Sequence, residues 1–88
     1  MDNTNYYFLQ IVSSTSDLTD KWNETQINTT ANLLIGDIIN FKAEKFNTEL
    51  ISDFGAEEFL VIKRVFLYDS SFENVGGVFL LYLQPIIN

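Results

Sequence analysis

Phe59-Leu60-Val61-Ile62-Lys63-Arg64-Val65-Phe66-Leu67-Tyr68 is the stretch on which the fold turns. Its residues are aromatic, β-branched or leucine apart from one basic pair, and such a run suits the pleated surface of a strand. At a period of two, Phe59, Val61, Lys63, Val65 and Leu67 share one face, and Leu60, Ile62, Arg64, Phe66 and Tyr68 the other. Both faces are apolar at their ends. Lys63 and Arg64 point to opposite sides, so they make no basic patch.

Downstream, Val78 to Leu83 reads as another strand and carries no polar face; Gly76-Gly77 supplies the turn before it and Pro85 stops it. Upstream, Ile35 to Ala43 is expected to be a half-buried strand, with Ile39, Phe41 and Ala43 alternating against Asn40, Lys42 and Glu44. Tyr6 to Val12 is the first strand, ended by Ser13-Ser14-Thr15-Ser16. Ser16 to Glu24 predicts a short helix with Ser16 as its N-cap, since acids fill its first turn and Leu18 meets Lys21 and Trp22 at helical spacing. Gln26 to Thr30 reads as a short hairpin strand. Phe46 to Ile51 reads as a further short strand, closed by a turn at Ser52-Asp53-Phe54-Gly55.

These elements give a mainly β domain, or an α+β domain with one short helix: a small twisted antiparallel sheet or a small barrel of four to six strands. Leu34-Ile35-Gly36-Asp37-Ile38-Ile39-Asn40-Phe41 resembles the Gly-Asp-apolar-apolar opening of a strand in SH3-like barrels. The resemblance covers Leu34 to Leu83 and implies a fold alone, because SH3-like barrels share no single function. The long segment before Leu34 departs from that pattern.

With 88 residues the chain is expected to be one domain, 1–88. Apolar residues make up 47%, including eight Phe, four Tyr and one Trp, which is too rich for a disordered chain. Absence of both Cys and His removes disulfides, thiolate and imidazole metal ligands, and the commonest nucleophile and general base. Neither a basic leader nor an apolar run of the roughly 20 residues a membrane helix needs is present, so a cytoplasmic protein without a membrane segment is expected. The sequons at Asn23 and Asn28 fit chance in an Asn/Thr-rich stretch. Twelve acids against five basic residues give a net charge of −7, which repels phosphate and argues against direct nucleic-acid binding.

Carboxylates are the remaining catalytic candidates. Asp53, Glu57 and Glu58 cluster near one turn, and Asp69 and Glu73 flank another, yet glycoside hydrolysis needs two carboxylates opposed across a cleft. The loop Asp69-Ser70-Ser71-Phe72-Glu73-Asn74 offers oxygen ligands but lacks the alternating acids and spaced bidentate Glu of a calcium loop. No enzyme activity, cofactor or metal is expected. The aromatic residues are too many for one thin core; either a closed barrel with the Ser16–Thr30 segment covers the second face, or a partner does. Tyr6, Trp22, Asp53, Glu57, Glu58, Tyr68, Asp69, Phe72, Glu73 and Tyr82 are the expected partner-binding residues, suited to a basic protein. In size and charge the chain resembles small acidic phage inhibitors of the anti-CRISPR type, which implies an inhibitor of a nucleic-acid-binding protein. The alternative is an assembly subunit that forms homo-oligomers through its apolar strands, with a homodimer contact expected at Val78 to Leu83.

Overall fold

A computed structural model describes residues 4–71 and 76–87. In chain order the elements are β1 (Asn5–Ile11), α1 (Ser16–Trp22), β2 (Gln26–Thr29), β3 (Ile38–Asn40), α2 (Asn47–Phe54), β4 (Glu58–Tyr68) and β5 (Gly77–Pro85). The strands form one sheet in the order β2-β1-β5-β4-β3, curled into a half-barrel. The mainly β fold is therefore as expected. The expected antiparallel sheet is a mixed one, because β1 and β5 at its centre run parallel, Tyr7 beside Phe79 through Ile11 beside Leu83. A parallel pair needs a long crossover, and almost the whole chain between β1 and β5 supplies it.

The core lies on the inner face. Tyr7, Leu9 and Ile11 from β1 meet Leu81 and Leu83 from β5 and Phe59 and Val61 from β4. Trp22 of α1 and Leu50 of α2 belong to the same cluster, so both helices cover that face. Phe59 is fully buried, with the rings of Phe41 and Phe54 edge-on to it at 5.6 and 6.1 Å. Truncating such a residue to Ala removes about 3–5 kcal/mol.

A bulge in β4 explains why its sequence reads as apolar on both faces. Register against β5 shifts between Val61, opposite Leu83, and Lys63, opposite Tyr82. Before the shift the odd residues Phe59 and Val61 face the core. Past it the even residues Arg64 and Phe66 stand beside Leu81 and Phe79 on that same face. An extra residue in one strand reverses its alternation, which is the defining effect of a bulge.

Several local expectations are corrected. The strand expected over Ile35 to Ala43 is only three residues long. Leu34 N–H donates to Asp37 Oδ2, Lys42 N–H donates to Asn40 Oδ1, and Gly36 has φ 98°, so side-chain turns take the backbone at both ends. Phe46 to Ile51 is not a strand: most of it is α2, which buries Leu50 between half-buried Phe46 and Phe54 at four-residue spacing. Gly55, left-handed at φ 68°, ends that helix where a free turn was expected. At α1, Thr15 rather than Ser16 holds the N-cap position, with no side-chain cap bond. β5 runs longer than expected and ends at Pro85.

Between β2 and β3 the chain crosses from one sheet edge to the other as a strap over residues 30–37. Tyr7 holds it: its hydroxyl donates to Ala31 O and accepts from Leu33 N–H, each at 3.0 Å. At the far end, Gly36 N–H donates to Val61 O and Val61 N–H to Asp37 O, both at 2.9 Å.

Candidate interaction surface

β4 is the longest strand, and β3 pairs with only its first three residues, Glu58 to Leu60. The strap occupies the edge at Val61. Beyond it, among the described residues, Lys63 to Tyr68 pair with β5 on one side and with nothing on the other. Asp69 N–H donates inward to Gly76 O at 2.9 Å. Because backbone groups alternate in direction along a strand, the N–H and C=O of Arg64, Phe66 and Tyr68 point to the free edge.

This edge is apolar. Phe66, Leu67 and Tyr68 are 48%, 48% and 75% exposed, and at the strap end Leu34, Ile35, Ile38 and Ile62 are exposed as well. Lys63 and Arg64, two of the five basic residues, interrupt the stripe in the middle. The Arg64 guanidinium stacks over Phe79 at 4.1 Å and donates to Asn32 Oδ1 at 3.3 Å, while Lys63 Nζ lies 5.1 Å from the Tyr82 ring. Both cations are thereby drawn against the sheet.

Acids gather on the helical side instead. Asp17, Asp20 and Glu24 are exposed at i, i+3 and i+7 along α1 and the residue turn after it. Lys21 bridges Glu49 at 3.3 Å and Asp53 at 2.8 Å, tying α1 to α2. Asp53 Oδ2 also accepts from Trp22 Nε1 at 2.8 Å. The hydrogen bond from Lys21, and then that from Trp22, holds the Asp53 carboxyl below the usual carboxylate range. Lys21 is raised in turn, chiefly by its hydrogen bond to Asp53. At the other end of the molecule, Ser71 donates from its hydroxyl and its backbone N–H to Asp69 Oδ1, which lowers the Asp69 carboxyl.

The expected partner-binding residues do not form one patch. Trp22 is 4% exposed and belongs to the core rather than to a contact surface. Asp53 is engaged beneath Lys21. Glu57 and Glu58 sit at the start of β4, and Tyr68 and Asp69 at its end, about 33 Å away for a strand of that length. Tyr6 and Tyr82 lie on the outer face of β1 and β5, partly buried. Phe72 and Glu73 lie outside the described residues. Sequence reading missed Leu34, Ile35, Ile38, Ile62, Phe66 and Leu67 as surface residues. Ile38 carried a signal, since it shares a strand face with Asn40, Lys42 and Glu44.

A concave feature is the seam between the two edge strands. Ile27, Leu33, Ile39 and Phe41 line a groove of about 350 Å³, rimmed by Asn28, Asn40 and Glu44. Among the described residues no three acids converge as they would around a metal ion, and no helix is long and apolar enough to cross a membrane. Comparison with protein families, with curated proteins and with solved structures finds no match.

Proposed function

We propose that this chain is a non-enzymatic protein-binding domain that works through the free edge of β4. The observation that carries this is the six-residue edge Lys63–Tyr68, unpaired among the described residues and flanked at both ends by exposed apolar side chains. Such an edge offers a partner both a hydrogen-bonding template and desolvation of apolar surface. Past the bulge, Val65 to Tyr68 lacks the charge, proline or further bulge that commonly protects an edge strand. A photo-reactive phenylalanine analogue placed at Tyr68 should give a protein adduct in cells, whereas one at Thr48 on the helical side should not. No adduct from Tyr68 or from Ile35 would remove the edge from consideration.

A second reading has its own observation. The acids on α1 and α2 outnumber the single Lys21 beside them, which suits a basic partner. An inhibitor that imitates phosphate charge, as phage-type anti-CRISPR proteins do, is one form of it. Neutralising Asp17, Asp20 and Glu24 together should abolish capture of such a partner without affecting the Tyr68 adduct.

A further inference from the structure

We infer that the occupant of the β4 edge is a second copy of this chain, joined antiparallel about a twofold axis at Phe66. This rests on the reading of the edge as protein-binding and names its partner. A symmetric antiparallel pair places residue i opposite residue j of the second copy with a constant sum of i and j. Outward-pointing residues must meet outward-pointing ones, so Arg64, Phe66 and Tyr68 pair among themselves.

With Phe66 opposite Phe66, every position meets a complementary residue. Arg64, whose guanidinium is stacked over Phe79, lies opposite the exposed Tyr68 ring, a second aromatic face for the same cation. Val65 lies opposite Leu67 in the closer, non-hydrogen-bonded spacing, where apolar pairs gain most. Lys63 lies opposite Asp69, whose Oδ1 is taken by Ser71 and whose Oδ2 accepts no hydrogen bond among the described residues. Neighbouring registers lose this match. Centring on Val65 sets Lys63 against Leu67 and leaves Asp69 beside Val61; centring on Leu67 sets Val65 against Asp69. Charge complementarity at the two ends of the free stretch, Lys63 and Asp69, thus selects both the partner and the register. The result is a sheet continuous through two copies, with the acidic helices on the inner faces away from the joining strands.

Sedimentation equilibrium on the purified chain tests this, with Phe66→Pro as the first variant. Proline at Phe66 removes an N–H that faces the free edge, so the ladder to β5 is kept while the centre of the intermolecular pairing is lost. Circular dichroism confirms the fold of each variant. The wild-type chain should be a dimer and Phe66→Pro a monomer at the same concentration. Lys63→Glu sets like charges opposite each other at two symmetric sites and should weaken the dimer about tenfold. Adding Asp69→Lys to Lys63→Glu should restore affinity to within about threefold. A wild-type monomer at millimolar concentration overturns the inference, as does a dimer indifferent to Phe66→Pro or to Lys63→Glu. A monomer whose Tyr68 adduct is with another protein overturns the second copy and leaves the protein-binding edge standing.

Discussion

At the residue scale, Asp53 is the side chain whose role changed most between sequence and structure. Beside Glu57 and Glu58 it reads as one of three loop acids, available to a partner. In the fold it is the acceptor that joins Lys21 and the Trp22 indole, 15% exposed. Nothing local in the sequence announces this, because the donors lie 31 and 32 residues away and meet it only when α1 and α2 pack on one face. The consequence is a pH dependence of known sign. A carboxyl held below its ordinary range in the folded chain contributes stability that is complete above the unfolded value and is lost as pH falls through the folded one. Melting temperature should therefore fall in the acid range below ordinary carboxylate titration, and Asp53→Asn should flatten that fall while lowering stability at neutral pH. Thermal melts of both proteins across that range decide it; equal slopes would show that Asp53 has no such linkage. Asp69 titrates in the same direction through Ser71, so a residual slope should survive in the variant.

At the element scale, β1, β4 and β5 were legible because aromatic and β-branched residues crowd runs longer than any turn. α2 was not. Its Phe46, Leu50 and Phe54 fall at helical spacing, but Thr48 and Ile51 within it are β-branched and favour a strand by local preference alone. Packing against Phe59 and Trp22 decides the matter, and that is a tertiary effect. The β4 bulge was equally hidden, although the two apparent apolar faces, broken at Lys63-Arg64, were its trace in the sequence. The strap leaves still less trace, since its anchor is a core tyrosine whose ring reads only as apolar bulk. Tyr7→Phe keeps that ring, including its stack on Phe79 at 5.4 Å, and removes both hydrogen bonds to the strap. It should cost about 1–2 kcal/mol of stability. Amide hydrogen exchange should rise at Leu33 and along residues 31–37 while remaining unchanged in β5. Uniform acceleration over the whole chain would instead mean that the hydroxyl supports the core rather than the strap.

At the scale of the whole molecule, net charge and shape set opposite salt dependences for the two kinds of partner. Each copy carries −7, and its short axes measure 24 Å, which would put the centres of two copies joined edge to edge about that far apart. Coulomb repulsion between two such charges at that distance in water is about 8 kcal/mol unscreened. A Debye length of about 30 Å at 0.01 M leaves close to half of it, and one of about 8 Å at 0.15 M leaves about a twentieth. Raising salt over this range therefore favours self-association by up to about 3 kcal/mol, roughly two orders of magnitude in the dissociation constant. Screening of the two Lys63–Asp69 pairs opposes this by only about 0.2–1 kcal/mol each. Repulsion wins, so the dimer should tighten as salt rises to physiological strength. A basic partner held on the acidic helical side should loosen over the same series, because there the long-range term is attraction. Two titrations on one protein thus separate the two surfaces: a homodimer that weakens steadily with salt would be held by opposite charges strong enough to outweigh the net repulsion, which the Phe66-centred pairing does not supply, and would move the interface away from β4.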